Sequence, residues 1–348
     1  MTASPRRIDV HHHVVPPAFS QAMERHGLSK VAGAPLPAWT PQGSIGVMDL
    51  YGIETAITSL SAPGVYFGDL GEACALARAC NEYSARLVED HPGRFGFFAV
   101  LPMPFTEQAC AEAIYALDVL KADGVVLLGS TEGVFLGDPK LDELMAELDR
   151  RGAIVFEHPN IHATSNQLEL SIPGYFVEFL CDTTRAATNL ILSGTVERYP
   201  NIRWILSHAG GFLPYIAWRL SLANDQPQFA RHIPKGVLHY IRSFYYDTAL
   251  SPSPWAMSAL KALVEPSQIL FGSDYPFAPA PAVGMEVKTL EGQDVFDAAT
   301  LVKVNRDNAL ALFPRLGDAQ PSAEPVKTKI RRAVTGPIVD LADRIRDR

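Results

Sequence analysis

Cysteine is scarce in this chain: Cys74, Cys80, Cys110 and Cys181 are the only four in 348 residues, and none pairs in a CxxC spacing. That scatter excludes a disulfide framework and a thiolate metal cluster, and leaves them as core or helix-face thiols. An N-terminal signal pattern and a long unbroken apolar run are both missing, so the expectation is a reducing, cytoplasmic setting with no membrane partner. Positive charge is also short, since the formal net charge is −8. A nucleic-acid surface is therefore not expected. A small anionic ligand stays open, because a metal or a few arginines set the local field whatever the total. No GxGxxG follows the first apolar strand, which removes the main signal for a dinucleotide-binding, doubly wound sheet.

The chain does have ample material for a core, with 47% hydrophobic and 20% charged residues. Eight short, mostly continuous apolar runs alternate with helical segments. The strands are expected at Ile8–His13, Thr55–Ser61, Phe95–Val100, Gly124–Leu128, Ala153–His158, Arg203–His208, Phe244–Thr248 and Gln268–Asp274. Runs of this kind are buried on both faces, as in a parallel sheet covered by helices, and eight of them suit a (β/α)8 TIM barrel. The barrel is expected over residues 7–314, closing with a helix from Ala298 to Phe313. Residues 17–46 contain Gly33, Pro35, Pro37, Trp39 and Pro41 and read as an insert or lid after the first strand. Residues 315–348 read as a C-terminal extension with a short amphipathic face (Ile338, Leu341, Ala342, Ile345). It is expected as an arm on the barrel or a partner subunit, or as a partly disordered basic tail.

The opening Asp9-Val10-His11-His12-His13 stretch organises the rest. A strand sends alternate side chains to opposite faces, so His11 and His13 point together and His12 points away. In a parallel barrel the reactive side chains sit at the C-terminal strand ends. His11 and His13 end strand one, His158 strand five, His208 strand six and Asp274 strand eight. Breakers follow at once after three of these ends: Pro159, Ala209-Gly210-Gly211 and Tyr275-Pro276. Imidazole nitrogens and carboxylate oxygens converging on one mouth suit a divalent metal such as zinc. Each histidine taken singly would read as a buried, hydrogen-bonded strand residue; only the constellation marks a site. His26, His91, His162, His232 and His239 are expected to be solvated, with His162 and His232 in loops that could reach the mouth. Asp9 is expected either as an acceptor near the metal or as a partner in the barrel floor, and Asp247 as structural.

These pieces together resemble the amidohydrolase superfamily, and within it the branch that includes aminocarboxymuconate-semialdehyde decarboxylase. The matching stretches are Asp9-Val10-His11-His12-His13, Glu157-His158-Pro159, Ser207-His208-Ala209-Gly210-Gly211 and Phe271-Gly272-Ser273-Asp274-Tyr275-Pro276, with Asn308-Ala309 and Leu312-Phe313 in the closing helix. The resemblance implies that His11, His13, His158 and Asp274 bind one divalent metal, and that His208 is the neighbouring acid/base or oxyanion-stabilising histidine. A single metal fits because Val125-Val126-Leu127-Leu128-Gly129-Ser130 offers no bridging lysine or acid at the end of strand four. Zinc is the first expectation and manganese the second. Arg94–Pro102 and Glu178–Ala186 look most like 6-methylsalicylate decarboxylases.

The function so implied is non-oxidative loss of CO2 from an ortho-hydroxy aromatic carboxylate, with Asp274 as ligand and proton donor and His208 as its catalytic neighbour. The substrate partner is then a small aromatic carboxylate, and the subunit partner a second copy in a homodimer or higher homo-oligomer. Two alternatives share the same residues: a metal-dependent hydrolase of a lactone or amide, and a non-catalytic metal-bound barrel. Trp39, Phe67, Arg185 and Phe212 are the candidate substrate contacts, and Arg219 and Arg231 candidates for reaching across a subunit boundary.

Overall fold

The computed structural model describes residues 6–168 and 171–318, so the expectation for the C-terminal extension from 319 onward lies outside the described residues. Eight strands form one sheet with neighbours in chain order: β1 (Arg7–His13), β2 (Ile53–Ser59), β3 (Phe95–Val100), β4 (Gly124–Leu128), β5 (Ile154–His158), β6 (Arg203–Leu206), β7 (Tyr245–Asp247) and β8 (Ile269–Leu270). Every pairing between them is parallel. The two ends of the sheet meet through backbone bonds, with Val10 N–H donating to Phe271 O at 3.0 Å and Asp274 N–H to His11 O at 2.8 Å. The result is the nearly closed TIM barrel expected from the strand count. Strands β7 and β8 are shorter than their apolar runs, because the chain leaves the ladder to build the mouth.

Alternation along the buried strands splits the apolar residues into two clusters. Val125, Leu127, Val155 and Leu206 pack with Ala109 and Ala113 of the helix Thr106–Asp118 and Leu144 and Leu148 of the helix Asp142–Arg150. Phe98, Val126, Ile154, Phe156, Ile205 and Leu270 form the other. Phe156 shares its strand face with His158, and its ring lies 4.9 Å from that of His11. Full burial of such a side chain contributes about 1.5–3 kcal/mol, so the metal-type residues rest on a packed floor.

The segment after β1 is more ordered than its prolines and glycines suggested. Helix α1 (Pro17–Arg25) is followed by a hairpin pairing Lys30–Val31 with Ala34–Pro35, then by α2 (Pro41–Tyr51). The second helix starts where it does because Pro41 takes the first helical position and Thr40 accepts from Gly43 N–H at 3.0 Å. After β5 come a turn at Gly174–Phe176, α3 (Glu178–Leu192) and a short piece, Thr195–Arg198, on the far side of Gly194. Gly194 parts the two helices with φ +77°. Three later helices matter below: α4 (Leu213–Ser221), α5 (Pro254–Leu263) and α6 (Ala280–Gly292). Among the described residues no helix is long and apolar enough to cross a membrane.

Candidate metal centre

His11, His13, His158 and Asp274 meet at the C-terminal mouth of the barrel, all buried, with one ligand atom from each within 4.8 Å of the others. The fit to an ion lies in how each imidazole is held. His11 Nδ1 is 2.7 Å from Asp247 Oδ2, His13 Nδ1 is 3.2 Å from Ser59 O, and His158 Nδ1 is 2.9 Å from Pro159 O. Each Nδ1 is thereby engaged by a fixed oxygen and each Nε2 turned toward the cluster, and the Nδ1–H form would leave the Nε2 lone pair free for an ion. His11 Nε2 and His13 Nε2 face each other at 3.1 Å, and Asp274 Oδ1 stands 2.9 Å from His13 Nε2 and 3.2 Å from His11 Nε2. Three ring nitrogens and a carboxylate turned toward one another in a buried site suit a shared divalent cation.

Protonation follows the same geometry. Burial holds His158 well below the usual histidine range, with the neighbouring imidazoles adding to it, and burial also lowers His13. Burial alone would depress His11 too, but Asp247 and Asp274 outweigh it and raise it to about 10. Asp274 stays well below the usual carboxylate range: burial opposes this, and the close imidazoles of His11 and His13, with His208 beside them, overcome it.

His208 arrives beside this cluster from the turn after β6, with Nε2 3.9 Å from Asp274 Oδ2 and Nδ1 buried without a hydrogen-bond partner. Its backbone is left-handed at φ +52°, as are Ala209 at +56° and Asp274 at +54°. Such angles in non-glycine residues persist only where the surroundings enforce them, and they concentrate at functional sites. The glycines make the turn fit. A Cβ on Gly210 would lie 2.7 Å from Tyr246 Cε1, and one on Gly272 would lie 2.8 Å from His11 Cβ.

His12 turns away as the strand period requires, with Nδ1 3.0 Å from Asp9 Oδ2 and Nε2 2.6 Å from Ser44 Oγ. Asp9 also accepts from Ser273 Oγ at 2.5 Å and from His11 N at 3.1 Å, so it fastens β1 to the residue before Asp274. Asp247 is the residue the sequence undervalued. Beyond His11, its Oδ1 accepts from His208 N at 2.9 Å and Ala249 N at 3.0 Å. Its place at the end of an apolar strand was the available signal; its partners, 236 and 39 positions away, were not.

A cavity of about 560 Å³ opens above His158, His208 and Asp274. Its walls are apolar: Val31 and Pro35 from the hairpin, Tyr175 and Phe179 from the segment after β5, and Leu250 and Phe277. The four candidate substrate contacts are not among its lining residues. Trp39 packs against Tyr83, Phe67 stacks on His26 at 4.8 Å, and Arg185 and Phe212 are exposed outside it. His162 stacks on Phe135 and His232 packs against Gly194, so neither reaches the mouth. The true wall residues Phe277 and Phe179 lie close to the ligands, 5.4 Å from the His13 ring and 5.7 Å from that of His158.

A parallel barrel carrying three imidazoles and a carboxylate at its C-terminal mouth defines the class of metal-dependent, hydrolase-like barrels. Within that class the chain belongs to the amidohydrolase family, whose model matches residues 8–315. Decarboxylases are among the proteins it is similar to. A decarboxylase, yanB, of Aspergillus niger is 39% identical over 323 residues, covering 89% of this chain and 88% of the relative. The 6-methylsalicylic acid decarboxylase of Penicillium expansum is 37% identical, covering 89% and 97%. Among solved structures, an amidohydrolase II superposes with TM-score 0.83 at 32% identity, covering 88% of this chain and 99% of that one. A dihydroxybenzoic acid decarboxylase of Polaromonas, solved with manganese and the inhibitor 2-nitroresorcinol, shares the fold at TM-score 0.76 and 23% identity, covering 89% and 97%.

Proposed function

We propose that this chain is a metal-dependent, non-oxidative carboxy-lyase acting on an ortho-hydroxy aromatic carboxylate, with 6-methylsalicylate or a close hydroxybenzoate as substrate. The observation that carries it is the placement of three buried imidazoles, one carboxylate and His208 at the floor of an apolar cavity of about 560 Å³, wide enough for one aromatic ring. The decarboxylases that align over nine-tenths of the chain support the same reading.

His11, His13, His158 and Asp274 would hold one divalent ion, zinc in the first place and manganese in the second. The ion, when bound, supplies Lewis-acid polarisation of the substrate's oxygens. Phe179, Phe277 and Leu250 orient the ring and exclude water around it. Asp274, ionised in the resting site, takes the phenolic proton and delivers it to the ring carbon bearing the carboxylate. The C–C bond to the carboxylate then breaks, CO2 leaves, and the electron pair returns to restore the aromatic ring as a phenolate, which takes a proton from solvent on release. His208 donates a hydrogen bond to the oxygen on which charge builds.

The chain works in the cytoplasm and assembles as a homodimer. Tyr215 and Trp218 on α4 and Trp255 on α5 are 88, 76 and 82% exposed, more aromatic surface than a lone subunit ordinarily leaves to water. Light scattering of the wild type and of Trp218→Glu checks the assembly. For the activity, the metal-loaded protein is incubated with 6-methylsalicylate, salicylate and dihydroxybenzoates and CO2 is followed. No release from any of them, with turnover of a lactone, would replace this reading by the hydrolase one.

A further inference from the structure

We infer that Asp247 is a positioning residue of the metal centre: one carboxylate fixes both the ligand form of His11 and the place of His208. The inference rests on the functional reading above for the role of His208, while its claim on His11 concerns metal binding alone.

Asp247 ends β7 and is fully buried. Its two oxygens face different clients. Oδ2 lies 2.7 Å from His11 Nδ1, and Oδ1 accepts the amides of His208 at 2.9 Å and Ala249 at 3.0 Å. Three contacts shared between two oxygens suit a carboxylate, which offers acceptors on both sides. An asparagine of the same shape fails on one side or the other. With its NH2 toward His11, Nδ1 must accept, the proton moves to Nε2, and the lone pair aimed at the cluster is lost. With its NH2 toward the amides, two donors confront it, and the backbone of His208 loses what holds φ at +52°. Either way His11 and His208 cannot both keep their places, so the two are coupled through this single side chain. Gly272 leaves room for the arrangement, since a Cβ there would be 3.2 Å from Asp247 Cβ and 2.8 Å from His11 Cβ.

The test compares wild type with Asp247→Asn, its fold checked by circular dichroism, titrating zinc in competition with a chromophoric chelator. The expected result is a zinc affinity about 10–100-fold weaker; an unchanged affinity in the folded variant overturns the inference. Nitrogen-15 spectra of histidine-labelled, zinc-loaded wild type decide the same question even if the variant does not fold. His11 is expected as the Nδ1–H tautomer, and Nε2–H overturns the inference. At saturating zinc, Asp247→Asn added to His208→Ala is expected to leave kcat where His208→Ala alone puts it. A further tenfold loss would show that Asp247 does not act through His208. The zinc and tautomer readouts use no substrate, so a wild type that releases no CO2 sinks the decarboxylase reading and leaves this one to be decided by them.

Discussion

His11 and His13 present their Nε2 atoms to each other at 3.1 Å while their Nδ1 atoms are engaged by Asp247 and Ser59. Two imidazoles locked in this orientation are poor hydrogen-bond partners and good co-ligands. Metal should therefore stabilise the fold. An ion held at a hundred times its Kd contributes about 2.7 kcal/mol. Dialysis against a chelator is expected to lower Tm by several degrees, and zinc or manganese to restore it. A Tm indifferent to chelation and refilling would speak against the site.

Replacing His208 by alanine separates binding from turnover. Its Nε2 stands 3.9 Å from Asp274 and it is not one of the four clustered donors. His208→Ala is expected to keep one metal per chain by elemental analysis and to lose about 100-fold or more in kcat. Undiminished kcat would remove the role assigned to it.

Gly272 and Gly292 make a matched pair of substitutions. A Cβ on Gly272 would meet His11 Cβ at 2.8 Å, whereas one on Gly292 meets nothing within 4 Å. Gly272→Ala should cost about 1–3 kcal/mol by overpacking and weaken metal binding by displacing His11. Gly292→Ala, at the end of a helix, should be neutral or stabilise by up to about 1 kcal/mol. Denaturant unfolding and zinc titration of both check the contrast.

Glu286 gives stability a pH dependence of its own, from a buried carboxyl outside the four clustered ligands. It is buried on α6, with Oε2 accepting from Leu250 N at 3.2 Å and Oε1 without a partner. Burial pushes its carboxyl well above the usual range; the Leu250 amide opposes this, and Asp274 and Asp9 reinforce it. The folded state thus keeps a proton that the unfolded chain releases near the ordinary value of 4.5. The stabilisation is complete below that pH and declines above it, by about 1.4 kcal/mol per pH unit, until the folded group itself ionises. Glu286→Gln removes the slope, so the variant should gain on wild type as the pH rises above 4.5 and show no gain below it. Parallel thermal melts across that range would expose an equal difference at all pH values, which is the contrary result.

Much of this molecule could be read from its residues because barrel strands and strand ends obey local rules. The apolar runs around Val125 and Val155 mark parallel strands, and the period of two separates His11 and His13 from His12. Elements defined by what they touch were harder to see. Pro41 opens a helix in a segment whose composition reads as loop, since tertiary packing and a threonine cap outweigh it. Asp247 looked structural because its clients come from β1 and the β6 turn. Trp39 in the insert and Phe67 after β2 were candidate substrate contacts, yet each has a ring of its own to pack against. The walls came instead from Phe179, in the first turn of α3, and Phe277, in the turn after β8.

The bond between β1 and the start of the β8 turn has a consequence for how the molecule comes into being. His13 and Asp274 stand 2.9 Å apart in space and 261 positions apart in the chain. A nascent or half-folded barrel can own the first two imidazoles and still lack the carboxylate that completes the set. The full four-ligand grip becomes available only when the last strand reaches the first. The ion is then a clasp on a finished ring, and tight metal retention doubles as a readout of whether the ring has closed.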